Sequence, residues 1–177
     1  MTAPDLADAL TAWRAWHLVR TDAGLRLHAI GRDRVWEPRE RHTATCLRRR
    51  RWRERLQRPR AAHPAPHWDC TCGIWAVGSA CETVRALDSY GRSWKPLHRV
   101  VGQVALWGEV VQHDRGWRAQ YAYPTRLLVP VRRLNDRPVA DVDELVEALE
   151  VYGVPVGMLG GGSRPALRRL TALAGRA

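Results

Sequence analysis

The chain has 177 residues, 45% of them hydrophobic and 27% charged, which excludes a disordered or fibrous protein and leaves enough chain to bury a real core. No apolar run approaches the ~20 residues needed to cross a bilayer, and the start of the chain lacks a basic segment followed by an apolar one. The expectation is a cytoplasmic protein with no membrane partner, whose four cysteines are reduced or metal-bound rather than paired as disulfides.

The formal net charge is +11, and of 29 basic residues only Lys95 is a lysine. Guanidinium forks grip phosphate in bidentate fashion and stack on bases, so the excess points to nucleic acid, DNA or RNA, as partner. A preference for arginine over lysine can also follow from genome base composition. The net excess cannot, because exchanging one basic residue for another creates no charge. Nine tryptophans with no phenylalanine supply large flat surfaces, most for the core and some free to stack on bases.

In chain order, Leu6, Leu10, Trp13 and Trp16 recur at helical spacing after Pro4-Asp5 and predict an amphipathic helix over residues 4–16. His17–Arg20, a turn at Thr21–Gly24 and a run from Leu25 to Ile30 predict a hairpin. Gly31-Arg32-Asp33 turns the chain toward Val35–Pro38, and His42–Cys46 reads as a short strand. The stretch from Leu47 to Arg60 holds eight arginines, Arg48, Arg49, Arg50, Arg51, Arg53, Arg55, Arg58 and Arg60, against the single acid Glu54. Trp52 and Leu56, four apart, give it one small apolar face. Most charge runs are solvated loops, but on a chain already this basic the block predicts phosphate contact.

The segment from Cys46 to Cys72 carries three thiols and, with His63 and His67, two imidazoles within 27 residues. Thiolate and neutral imidazole are the ligands a tetrahedral zinc ion prefers. The predicted ligands are Cys46, His63, Cys70 and Cys72, with His67 as a substitute for His63. Pro64 and Pro66 fix φ in the approach, and Gly73 gives the backbone room to turn into the next element. Four protein ligands leave no position for water, so the site would be structural rather than catalytic. The competing reading makes Cys46 and Cys72 small buried hydrophobes and the histidines ordinary loop residues.

Cys72–Val77 predicts an apolar strand, and Ser79 with Glu82 three residues on predicts a capped helix over Ala80–Leu87, with Cys81 packed on it. Tyr90–Pro96 reads as a loop. Arg99–Trp107 and Glu109–His113 form one strand pattern in which Gly108 predicts a bulge. A turn at Asp114-Arg115-Gly116 returns the chain along Trp117–Tyr123, and Leu127–Val131 is a further short apolar run after Pro124. Asp141–Tyr152 predicts an acidic amphipathic helix broken by Gly153-Val154-Pro155. Gly160–Ser163 lacks the Lys-Ser/Thr ending of a phosphate-binding loop and reads as a hinge, followed by a short basic helix over Pro165–Leu173.

This order resembles the PUA-like superfamily, in particular its ASCH- and EVE-type members. The residues that carry the likeness are the Cys72-Gly73-Ile74-Trp75-Ala76 strand leading into a helix, Val101-Gly102-Gln103-Val104 through Gly108-Glu109-Val110, and a strand ending at Tyr123-Pro124-Thr125-Arg126-Leu127. The match covers about Val35–Val131. The Cys70-x-Cys72-Gly73-Ile74-x-Ala76 segment is also similar to a set of uncharacterised actinobacterial proteins. The expected fold is therefore α+β: a PUA-like mixed β-barrel with flanking helices over residues 1–134, containing the zinc segment 46–72, then a C-terminal helical extension over 135–177. The resemblance implies binding of RNA, or capture of a flipped base in a barrel pocket. Trp36, Trp75, Trp107 and Trp117 are then candidate walls, and Glu37 and Glu109 candidate readers of an exocyclic amine. The arginine block and the acidic tail helix depart from the ASCH pattern.

The expected function is a nucleic-acid-binding module in which Arg48, Arg49, Arg50, Arg51, Arg53 and Arg55 contact phosphates, a Trp-lined pocket takes a base, and zinc is a structural cofactor. Two other classes compete. A cysteine- or carboxylate-dependent enzyme acting on nucleic acid or nucleotide would use Cys70 or Cys72 with His67 or His113, or the Glu109, His113 and Asp114 cluster. No Ser-His-Asp elbow, HExxH helix, phosphate-binding loop or nuclease-type carboxylate set accompanies them, which favours binding over catalysis. A regulatory adaptor would instead recruit a protein partner through the acidic C-terminal helix.

Overall fold

A computed structural model describes residues 9–30, 34–46, 63–89, 98–131 and 141–159. The turn at 31–33, the arginine block over 48–60, the loop at 90–96, the hinge at 160–163 and the basic helix over 165–173 lie outside these residues, as do residues 4–8 of the predicted first helix.

Residues 10–16 are strand rather than helix. They open β1, Leu10–Thr21, whose two faces are both covered. Ala12, Trp16 and Leu18 enter the main core, while Trp13 enters a second cluster with Ala80, Val101, Leu128 and Leu159. Burial on both faces lets apolar residues fall three apart as readily as two, and that spacing imitates a helix. The predicted hairpin is present: β1 turns through Asp22-Ala23 into β2, Gly24–Ala29, with Thr21 paired to Gly24. β3, Val35–Trp36, adds to β2, and β4, His42–Thr43, is shorter than the predicted strand.

β5, Ile74–Val77, leads into α1, Ala80–Ser89. Ser79 caps the helix as its sequence predicts: the Glu82 N–H donates to Ser79 Oγ at 3.2 Å, and that hydroxyl donates to the Glu82 carboxylate at 3.3 Å. β6, His98–His113, is one continuous strand with a register irregularity between Trp107 and Val110. Gly108 sits in that bulge at φ +74°, where an added Cβ would lie 2.7 Å from both Gln120 Oε1 and the Tyr121 ring. β7, Gly116–Pro130, also runs unbroken, where the sequence suggests a break at Pro124. Val104 pairs with Pro124 and Gln103 with Arg126, so the proline's missing N–H falls at a second irregularity and interrupts no ladder.

The acidic helix is α2, Val142–Leu149, continued by a 3₁₀ turn at Glu150–Tyr152 and ended by Gly153 at φ +67°. β8, Val156–Leu159, follows and pairs parallel to β7, an element the Gly- and Pro-flanked sequence conceals. Leu145, Leu149 and Tyr152 join the main core. The Tyr152 hydroxyl donates to the Trp36 carbonyl at 2.6 Å and accepts the Leu27 N–H at 2.8 Å, tying the described part of the tail to the sheet.

Among the described residues the fold is α+β, with one eight-stranded mixed sheet and two short helices. Its pairings close a circuit: β1 to β6, β6 to β7, β7 to β5, and β5 back to β1 through Trp13 and Val77. No helix of the described residues is long and apolar enough to cross a membrane.

Candidate metal centre

β7 positions the centre. Its edge carries β5 through Ile74 to Ala119 and Val77 to Gly116, and then β4 through Thr43 to Tyr121 and His42 to Ala122. Between them the Ala44 N–H donates to the Gln120 carbonyl at 2.7 Å. Two segments far apart in sequence thus lie end to end on one strand. Cys46, just past β4, meets Cys72, just before β5.

Between these strands the chain makes a turn in which the Cys70 N–H donates to the His67 carbonyl at 3.1 Å. Gly73 follows at φ +116°, where an added Cβ would meet Arg118 Cβ at 3.0 Å and Pro66 Cβ at 3.1 Å, so only glycine fits without displacing a neighbour. Cys70, Cys72 and Ala65 form a small buried cluster against Ala44 and Cys46.

The ligand atoms of Cys46, His63, Cys70 and Cys72 all lie within 4.8 Å of one another. Cys46 Sγ is 3.7 Å from Cys70 Sγ, and Cys72 Sγ is 3.5 Å from His63 Nε2. These are the four residues the sequence selects, and together they can hold a metal ion. His67 takes a different role: its Nδ1 accepts the Asp69 N–H at 3.2 Å and its ring packs 4.7 Å from His63. Cys81, on α1, lies outside the group.

The thiols are electrically unequal. Burial pushes the Cys70 thiol up, but the Cys72 N–H and contacts from the Cys72, His63 and Cys46 side chains outweigh it and bring it down to about 7. Burial, the contact to Cys70 and the negative charge on Cys70 and Cys46 push Cys72 up to about 11. Three sulfurs this close repel one another once ionised, and a divalent cation at their centre reverses that repulsion.

Arg118, on β7, holds the loop from behind and is only 7% exposed. Its Nη1 donates to the carbonyls of His67 and Cys72, each at 3.1 Å, and to that of Cys70. Its guanidinium also lies 5.5 Å from the Trp75 ring centroid. No motif marks this residue in the sequence. Its only signal is an arginine at an inward position of an alternating strand.

The remaining predicted site residues are dispersed. Arg48, Arg49, Arg50, Arg51, Arg53 and Arg55 lie outside the described residues. Trp36 is buried, stacked 4.4 Å from His42 and edge-on to Trp16 at 5.4 Å. Trp107 packs 6.0 Å from Tyr121, and Trp117 is half-buried against the main core. Trp75 is 39% exposed beside the centre, its ring 4.4 Å from His113 and its Nε1 donating to the Thr71 carbonyl at 3.0 Å. Glu37 faces Arg26 at 3.8 Å, and Glu109 is exposed on β6.

Compared with known proteins, the chain matches no family model, no curated protein and no solved structure.

Proposed function

We propose that the chain is a nucleic-acid-binding module in which a structural zinc ion fixes the two ends of an arginine-rich segment. The observation that carries this reading is the convergence of Cys46 and His63 in the four-residue group. These two residues bracket the stretch 47–62, which contains all eight arginines of the block. One ion bound by both would clamp the two ends together and present concentrated positive charge from a fixed point of the sheet.

The donor set supports zinc. Three sulfurs and one imidazole suit a borderline-soft tetrahedral ion and not calcium or magnesium, which take oxygen. With bonds of ~2.3 Å to sulfur and ~2.0–2.1 Å to nitrogen, tetrahedral corners lie about 3.8 Å apart for two sulfurs and about 3.6 Å for sulfur and nitrogen. The observed contacts are 3.7 Å and 3.5 Å. When bound, the ion supplies a cross-link rather than a Lewis acid, since the four protein ligands fill its coordination. The chain's own residues do the rest: Arg118 orients the loop carbonyls, and Gly73 admits the close packing that brings Cys72 into place.

The same reading takes the sheet as PUA-like. Supporting it are the closed circuit of pairings, the passage of β5 into α1, and the Gly108 bulge ahead of the β6–β7 hairpin.

The test is binding to DNA and to RNA across a salt series. Phosphate neutralisation predicts log K falling linearly with log salt, by ~0.9 per phosphate on duplex DNA and ~0.7 on single strands. Changing Arg48, Arg49, Arg50 and Arg51 together to glutamine should flatten that slope by roughly 3. A salt-independent interaction, or no binding to either polymer, overturns the proposal.

A further inference from the structure

A groove of about 570 Å³ opens beside the metal centre, between the turn at residues 67–71 and the tip of the β6–β7 hairpin. That volume is in the ~300–1,000 Å³ range of ligand clefts. Trp68 and Trp75 line it, together with Asp69, His113, Asp114 and Arg115. Trp68 is 72% exposed, the most exposed large apolar side chain among the described residues. It occupies a turn whose other members are fixed. Cys70 belongs to the metal group, and the His67 and Cys70 carbonyls are held by Arg118. A tryptophan presented to solvent from so constrained a turn loses the burial that ordinarily favours it.

We infer that this groove takes one unpaired base of a single-stranded nucleic acid, stacked on the Trp68 and Trp75 indoles with an adjoining phosphate on Arg115. The inference rests on the nucleic-acid reading above and assigns that reading a second contact, separate from the arginine block. Every base has a π-face, so tryptophan platforms accept single strands without regard to sequence. Asp69 and Asp114 are acceptors for the amino and imide hydrogens that pairing would occupy in a duplex. The same two tryptophans and two carboxylates also suit a quaternary ammonium group. Arg115 in the groove, the Arg118 guanidinium 5.5 Å from the Trp75 ring and a chain charge of +11 disfavour a cation and favour a nucleotide.

The experiment measures the affinity of the full-length metal-loaded protein for a short fluorescein-labelled single-stranded oligonucleotide of mixed sequence, as DNA and as RNA. The same strand annealed to its complement serves as control. Trp68 is exposed, so Trp68→Ala leaves the core intact. It should weaken single-strand binding by about 5- to 150-fold, the range for loss of one stacked base, and leave duplex binding unchanged. Trp68→Tyr should retain most of the affinity, and Arg115→Gln should lower the salt slope by about 1. Single-strand affinity within two-fold of the parent in Trp68→Ala overturns the groove assignment while binding itself upholds the wider reading. No binding of any oligonucleotide by the parent overturns both. Binding of a trimethyllysine peptide that is lost in Trp68→Ala would make the groove a cation cage and overturn the base assignment.

Discussion

Replacing Arg118 by methionine removes a buried guanidinium and keeps most of its volume. In the parent it serves the carbonyls of His67, Cys70 and Cys72. A buried acceptor left without a donor costs ~1–3 kcal/mol. The His67 carbonyl keeps the Cys70 N–H, so the two stranded carbonyls, those of Cys70 and Cys72, cost roughly 2–6 kcal/mol. Against that, the variant no longer keeps a charge out of water, a saving of several kcal/mol. The balance is a net loss of roughly 1–2 kcal/mol, against the ~5–15 kcal/mol by which such a domain is stable. Because the three carbonyls belong to the turn that carries Cys70 and Cys72, the loss should also reach the metal site. Partners that orient ligands change affinity by about 10- to 100-fold. Urea unfolding gives the first quantity, and competition with a chromophoric zinc chelator gives the second. Arg118→Lys keeps the charge but not the planar fork, and should fall between parent and Arg118→Met. Parent-like urea midpoint and zinc affinity in Arg118→Met would refute the role given to this residue.

Three more outcomes follow from the packing. Burial, then Arg99 and His28, lower His17 to about 4; burial, then Arg14 and Arg34, lower His42 to about 4. The unfolded chain takes up these protons near 6.5 and the folded chain only near 4, so stability is full above pH 6.5 and is lost as pH falls toward 4. At ~1.36 kcal/mol per unit, each histidine accounts for at most about 3 kcal/mol of that loss, less where solvent screens it, and denaturant midpoints of His17→Gln and His42→Gln across this window should show a shallower fall. Tyr152→Phe strands the Leu27 N–H and the Trp36 carbonyl, and should cost about 2–4 kcal/mol in urea unfolding; a cost under ~0.5 kcal/mol would contradict the tie between tail and sheet. Gly102→Ala would drive a Cβ to 2.0 Å from the Arg126 carbonyl oxygen, in the most extensively paired part of the sheet, and should abolish cooperative thermal unfolding.

What the sequence discloses depends on whether a signal is local. Ser79 with Glu82, Asp22-Ala23 before Gly24, and Gly108 within an alternating run are turn, cap and bulge chemistry carried by neighbouring residues, and the structure has all three. Cys46, His63, Cys70 and Cys72 are legible by chemistry, because few other uses gather thiols and imidazoles in one segment. β1 is misread because Trp13 and Trp16 are buried on opposite faces, Trp13 in the cluster with Ala80 of α1 and Trp16 in the main core, a fact that only the assembled fold contains. β8 is hidden because four residues between Pro155 and Gly160 gain strand form only from β7. Arg118 is hidden for the opposite reason: it is one of many arginines, and its burial under the metal loop is a tertiary accident of register. Trp68 shows no periodicity at all, and its exposure becomes meaningful only beside Trp75 in a shared groove.

The most direct test is metal content. Mass spectrometry of the protein purified without added metal should find about one zinc per chain. Cys70→Ser with Cys72→Ser should carry none and should lose the folded loop, because structural zinc supplies roughly 10–16 kcal/mol of apparent binding energy to such sites. Protein that is fully folded with no bound metal, and unchanged by the double substitution, would contradict the zinc clamp.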